Sequence, residues 1–285
     1  MNTYQMENAC QADIKVMTCR RKKLPSDDIS RRFSGNYKGI PWAVVIKDEN
    51  DHAKKQIFFY SRFFTGILAK RIVYVPYLKD KCIANDSVLL PCSVFSYQKK
   101  NFLLFGKSGS GKTKSLLKAL DKGAKYVGDE RLILYPSGDL VDSSSVIALG
   151  YATVRETSFW DKLSIKNKIL LRIYHLIFLL SGKYIKFNIY LNPEQIDTER
   201  DRNFREKRVL FVNLAKSSKA YRMSLSETAS VILEKEGRKR QRYGDIFSLL
   251  DKREKINEII TAFFANSSCW RVPIGTSLDE ILDLE

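Results

Sequence analysis

Two patterns of apolar and polar positions divide the chain near residue 100. Before it come short runs rich in β-branched and aromatic residues: Trp42 to Ile46, Gln56 to Tyr60, Arg71 to Tyr77 and Ser87 to Leu90. Charged or Asp/Asn-containing turns separate them, as expected for strands of a mostly antiparallel sheet. Residues 1–35 are expected to be loosely ordered, with the basic run Arg20–Lys23 and the turn-prone Pro25-Ser26-Asp27-Asp28. Beyond residue 100 the pattern changes. Asn101 to Phe105 is a short, continuously apolar run typical of a buried strand. It ends at Gly106, and a helix follows with Leu116, Leu117 and Leu120 on one face and Gly123 as its C-terminal stop. Ala124 to Val127 and Arg131 to Tyr135 read as two more strands, the second turning at Pro136-Ser137-Gly138.

Ser224 and Glu227 fit a capping box ahead of a helix expected to end at Gly237. Ile256, Ile259, Ile260, Phe263 and Phe264 form an apolar stripe at helical spacing. Cys269 to Ile274 is a last strand and Ser277 to Leu284 a terminal helix. Strands and helices alternate after residue 100, which predicts an α/β fold. The organisation expected is a basic N-terminus over 1–35, a β-rich region over 36–90 and a core over 91–285.

Ile169 to Leu180 is almost wholly apolar. At about 1.5 Å per residue it reaches only about 18 Å, short of the ~30 Å hydrocarbon core, so no transmembrane span is expected. A buried or dimer-forming helix, and with the latter a homo-oligomer, is the favoured reading over a membrane-surface element.

The composition narrows the class. Of 285 residues 44% are hydrophobic, too many for intrinsic disorder. Five cysteines (Cys10, Cys19, Cys82, Cys92, Cys269) have no CxxC-type spacing and only His52 and His175 beside them, so free buried thiols are expected rather than a zinc site. The N-terminal stretch has no apolar h-region, and a cytoplasmic location is expected. The net charge of +17 favours an anionic partner. Its local runs, Arg20–Lys23, Arg200 to Arg208 and Arg238–Arg242, read as solvated faces. No motif for sequence-specific nucleic-acid binding occurs.

The strongest motif is Gly106-Lys107-Ser108-Gly109-Ser110-Gly111-Lys112-Thr113, which satisfies GxxxxGK[ST] between a strand and an amphipathic helix. Glycines let successive N–H groups point at phosphate oxygens, and the helix adds its positive end. Gly106, Ser108, Gly109, Ser110, Gly111, Lys112 and Thr113 are therefore the candidate residues for ATP. Lys112 suits the β- and γ-phosphates, and the Thr113 hydroxyl suits Mg²⁺. Asp129-Glu130 follows directly after Gly123-Ala124-Lys125-Tyr126-Val127-Gly128. A short helix and a short strand returning beside the first would bring this acidic pair back to the phosphate end. No LSGGQ or NKxD signature is present.

The P-loop together with Lys122-Gly-Ala-Lys-Tyr-Val-Gly-Asp-Glu130 resembles HPr kinase/phosphorylase and its relatives. Val209 to Leu214, Met223 to Ala229 and Cys269 to Ile274 extend the resemblance weakly, so that it covers roughly residues 88–285. It implies a PEP-carboxykinase-like P-loop core with a mixed sheet. It also implies Asp129, with Lys112, as the catalytic residues, Asp129 being the base for the attacking hydroxyl, and Thr113 and Glu130 as the holders of Mg²⁺. Where the family has a His before the P-loop strand, Pro91-Cys92-Ser93 stands here, and the Arg-Gly-x-Gly-Ile-Ile signature of phosphorolysis has no counterpart. The activity implied is therefore a kinase without phosphorylase activity, transferring the γ-phosphoryl group of ATP to a Ser or Thr hydroxyl. Its acceptor would be a peptide or small protein, an acidic one suiting the charge. Arg155 and Lys216 are candidates to neutralise the transferring charge. The rival is a non-catalytic ATP-binding switch or scaffold that binds an anionic partner.

Overall fold

The computed structural model describes residues 14–18, 31–37, 40–48, 55–61, 68–143, 146–182, 187–196, 198–201, 208–243 and 249–284. They fall into two units, one built from 1–88 and 229–259, the other from 89–228 and 260–285. The architecture is mixed α/β, with a mixed sheet and several helices.

The first unit carries a four-stranded sheet of β1 (Ile14–Thr18), β2 (Arg31–Tyr37), β3 (Ile40–Asp48) and β4 (Lys55–Ser61), in the order β1-β4-β3-β2. β2, β3 and β4 pair antiparallel, and β1 joins β4 in parallel. β1 and the first five residues of β2 fall within 1–35, where loose order was expected. β-Branched and aromatic side chains of β3 and β4, among them Val44, Val45, Ile46, Ile57 and Phe59, are buried, which is why strands read from that composition form here. One expected strand is not one. Arg71 to Tyr77 lies in a π-helical turn (Lys70–Tyr74) running into helix α1 (Val75–Ala84). Ile72, Val73, Tyr77 and Leu78 are buried at helical spacing, and Pro76 sits in the first turn, where its missing N–H costs nothing. Burial on a helical face overrides the β-branched composition.

The second unit is organised around β5 (Val88–Leu90), β6 (Ser93–Tyr97), β7 (Lys100–Gly106), β8 (Lys125–Asp129), β9 (Leu132–Leu134), β10 (Leu140–Asp142), β11 (Ile147–Leu149), β12 (Ile189–Leu191), β13 (Arg208–Ala215), β14 (Tyr221–Arg222) and β15 (Ser268–Pro273). Six of them form one sheet in the order β14-β15-β13-β7-β6-β8. β7, β13 and β15 are parallel, while β6 runs antiparallel to both β7 and β8. β8 thus points the same way as β7 but is separated from it by β6. The sequence reading set the returning strand directly beside the first; instead a third strand intervenes.

Its helices are α2 (Lys112–Asp121), α3 (Tyr151–Val154), α4 (Phe159–Lys162), α5 (Ile165–Leu180), α6 (Leu225–Tyr243), α7 (Arg253–Phe264) and α8 (Leu278–Leu282), with parts of α6 and α7 counted to the first unit. Leu116, Leu117 and Leu120 of α2 pack on Phe102, Leu104, Leu210 and Val212 of the sheet. Gly123 ends this helix at φ +85°. On the opposite face Phe105 and Phe264 both pack against Phe211, with ring centroids 5.7 and 4.9 Å away. The Ser224–Glu227 capping box forms, Glu227 N–H donating to Ser224 Oγ at 3.2 Å and Ser224 N–H to the Glu227 carboxylate at 2.7 Å. Its helix does not stop at Gly237 but continues to Tyr243.

α5 departs from expectation. Its Ser164 cap holds the first turn, and only Leu171 is buried. Ile165, Ile169, Ile173, Leu176, Leu179 and Leu180 are all exposed, so it is not a buried helix. Among the described residues no helix is long and apolar enough to cross a membrane. Cys82, Cys92 and Cys269 are buried free thiols, whereas Cys10, Cys19 and His52 lie outside the described residues. So do Arg20–Lys23 and most of the Arg200 to Arg208 run, and nothing is described of the Arg238–Arg242 side chains.

Candidate functional site

The end of β7 hands the chain to a loop that glycine makes feasible. At Gly106 a Cβ would lie 2.6 Å from both the Leu214 carbonyl oxygen and Ser110 Oγ, so the strand can turn there only without a side chain. Gly109 and Gly111 take φ +83° and +98°, a region that costs an L-residue roughly 1 kcal/mol or more. Gly111 is the N-cap of α2 and no side chain caps the helix, which leaves its first N–H groups and positive end for an anion. Ser110 Oγ is buried without a hydrogen-bond partner, a costly state that a ligand oxygen would relieve. The Lys112 ammonium donates to the carbonyls of Gly106 (3.0 Å) and Lys107 (3.1 Å), folding it over the loop. Ser108 and Gly109 face solvent.

Asp129 closes β8 with its carboxyl only 1% exposed. Thr113, in the first turn of α2, brings its hydroxyl to 3.4 Å from both carboxylate oxygens. The Ala148 N–H of β11 donates to Oδ2 at 3.3 Å, and the Ser93 hydroxyl donates to Oδ1. Ser93 arrives through the register of the intervening strand, in which it pairs with Asp129 on one side and with Leu104 on the other. The P-loop threonine and the acidic residue thus meet across β6. Burial pushes the Asp129 carboxyl up to about 7, with help from the neighbouring Glu130 charge, against the Ser93 and Ala148 hydrogen bonds and the Lys112 ammonium.

Glu130 behaves differently. It is exposed, at φ +70°, on a tight turn closed by Arg131 N–H donating to the Asp129 carbonyl at 2.9 Å. Of the two candidate cations, Arg155 is exposed with its guanidinium 5.7 Å from the Tyr151 ring. Lys216 is exposed directly after β13, whose Leu214 pairs with Gly106, at the same edge as the loop.

Sequence reasoning missed Ser93 and Ala148. Ser93 had one signal, a polar residue opening the strand just before the apolar Val94-Phe95; Ala148 acts through its backbone and had none. Among the described residues no group of three or more His, Cys, Asp or Glu could hold a metal ion. The oxygen donors of Thr113, Asp129 and Glu130 are nevertheless of the hard type that Mg²⁺ accepts while keeping several waters. An uncapped helix, an orphaned buried hydroxyl and a lysine over the loop likewise suit a nucleoside triphosphate. In comparison with known proteins, the chain matches no family model and no curated relative.

Proposed function

We propose that this chain is an ATP- and Mg²⁺-dependent kinase of the HPr-kinase-like type, with a PEP-carboxykinase-like core. It transfers the γ-phosphoryl group to a Ser or Thr hydroxyl of a peptide or small protein. The single observation that carries this reading is the buried Asp129 carboxyl set against the Thr113 hydroxyl of the P-loop. A phosphate cradle without an acidic neighbour binds; one with a carboxylate titrating near neutrality can also take a proton.

Gly106, Ser108, Gly109, Ser110 and Gly111 supply the turn and the N–H groups that hold the phosphates. Lys112 exchanges its loop carbonyls for phosphate oxygens and offsets their charge. Asp129, ionised above about pH 7, accepts the proton of the acceptor hydroxyl as that oxygen bonds to the γ-phosphorus and the bond to ADP breaks. Thr113 and Glu130 hold Mg²⁺, which when bound neutralises charge on the phosphates. Ser93 and the Ala148 N–H fix the Asp129 carboxylate and favour its ionised form. The net charge of +17 suits an acidic acceptor, and three buried free thiols suit a reducing, cytoplasmic setting.

A specific observation favours the rival reading, an ATP-binding switch. Asp129 already engages Ser93, Thr113 and Ala148, as a purely structural buried carboxylate does. Incubation with γ-labelled ATP, Mg²⁺ and a Ser/Thr peptide mixture separates the two. Label in a peptide, lost in Asp129→Asn while ATP still binds, supports the kinase. ATP binding with no label in any peptide or protein supports the switch.

A further inference from the structure

We propose that the outer face of α5 is an interfacial membrane anchor, docking the chain flat onto an anionic lipid surface. Ile165, Ile169, Ile173, Leu176, Leu179 and Leu180 are all exposed, Ile165 and Leu180 at 77% and 79%. At about 100° per residue they fall on one stripe roughly 120° wide along the helix. The rest of the helix is anchored: Leu171 is fully buried, Tyr174 packs on Phe187 with ring centroids 5.1 Å apart, and beside the Lys168 edge His175 stacks on Tyr151 at 4.5 Å. The exposed stripe is therefore a fixed feature of the fold rather than a loosely attached helix.

Charge selects the occupant. Lys166 and Lys168 stand at the two edges of the stripe, about 100° and 300° around the wheel, and Arg172 beside its centre. Between Asp161 and Glu194 the sequence has no acidic residue, while Lys162, Lys166, Lys168 and Arg172 are all basic. A second copy laid face to face would bring these cations together with no carboxylate in the segment to offset them. Anionic headgroups supply the missing charge: Lys166 is exposed at one edge, where its stem can lie along the apolar stripe with the ammonium outward, while at the other edge the Lys168 ammonium donates to the Asp161 carbonyl at 3.3 Å beside the Trp160 ring. A single straight stripe on one helix fits a plane into which it sinks to the depth of the acyl boundary. With 16 residues, the helix lies on the bilayer and does not cross it.

The test is co-flotation of the full chain with vesicles of phosphatidylcholine, with and without roughly 30% phosphatidylserine, at about 0.1 M salt. Expected is binding to the anionic vesicles that falls about tenfold or more in Ile169→Ser/Leu176→Ser/Leu180→Ser, which alters no charge. A second variant, Lys166→Gln/Lys168→Gln, weakens it several-fold and leaves the apolar face intact. Anionic-vesicle binding undiminished in the serine variant overturns the proposal, because the basic surface elsewhere then accounts for it. No vesicle binding by the wild type also overturns it. In that case a dimer broken by the serine variant assigns the face to a second copy, and capture of an acidic peptide assigns it to a protein partner. All readouts are of binding, so they stand or fall independently of phosphoryl transfer.

Discussion

At the end of β8 the fold buries a carboxylate, Asp129, at 1% exposure; along α5 it leaves six aliphatic side chains in solvent. The two regions depart from the usual partition of charge and grease in opposite directions, and both departures are fixed by their surroundings. Asp129 is held by a strand register, a backbone N–H and a helix hydroxyl. The α5 stripe is held by the packing of Leu171 behind it and by the Tyr151–His175 stack at its flank. An interior charge is costly unless the site uses it, and an exposed apolar stripe is costly unless something covers it. Each cost is local, so each can be removed by substitution and the comparison tested from both ends.

The largest effect is expected at the loop. Lys112→Ala removes the ammonium that lies on the Gly106 and Lys107 carbonyls and leaves the phosphates without their cation. ATP affinity should fall by about a hundredfold or more, measured by titration calorimetry, with thermal stability little changed because Lys112 is not buried. Unchanged affinity would move the nucleotide elsewhere and strip the buried carboxylate of its proposed role. Next is Asp129→Asn, which keeps the shape but cannot accept a proton. Transfer should fall by about 10²- to 10⁴-fold with ATP affinity retained. In the wild type, transfer should rise with pH and level off above about 7, losing roughly tenfold per pH unit below that.

The same carboxyl makes a stability prediction whose sign differs from the usual acidic group. Its pKa is raised from 3.8 to about 7 on folding, so between these values the folded chain binds the proton and the unfolded chain does not. Stability is therefore greatest at or below pH 4 on this account and is lost as pH climbs toward 7, by on the order of 4 kcal/mol at full ionisation. Asp129→Asn, which cannot ionise, should melt higher than the wild type at pH 8 and at nearly the same temperature near pH 4. Equal differences at both pH values would show that the carboxyl carries no folding cost, and the contrast with α5 would collapse.

How legible this was depends on the range of the interactions. The glycine loop between β7 and α2 was readable because its causes are local: glycines at required backbone angles, an apolar strand before and an amphipathic helix after. The capping box at Ser224 and Glu227 was legible for the same reason. The returning position of Asp129 was anticipated but not its route, since the insertion of β6 between β7 and β8 is a choice of sheet order that no short pattern encodes. Arg71 to Tyr77 failed because β-branched residues at buried helical positions imitate a strand. Gly237 failed because a glycine inside a long helix is tolerated at a cost of only about 1 kcal/mol. The apolar run of α5 was visible, but hydropathy alone cannot say whether a helix is covered.

The smallest effect expected concerns Ser93, the polar residue that opens β6. Its hydroxyl donates to the Asp129 carboxylate and favours the ionised form, while the neighbouring Glu130 charge opposes it. Ser93→Ala should therefore raise the pH midpoint of transfer, and Glu130→Gln should lower it, each by less than one pH unit. A merely structural Ser93 would reduce thermal stability, by ~1–2 kcal/mol for one buried hydrogen bond lost, and leave the midpoint in place. Midpoints moving in opposite directions in the two variants would show that Asp129 is tuned by the groups that hold it. Midpoints that stay together would mean the carboxyl is buried for packing alone, leaving α5 as the only departure from the inside-outside rule that has a use.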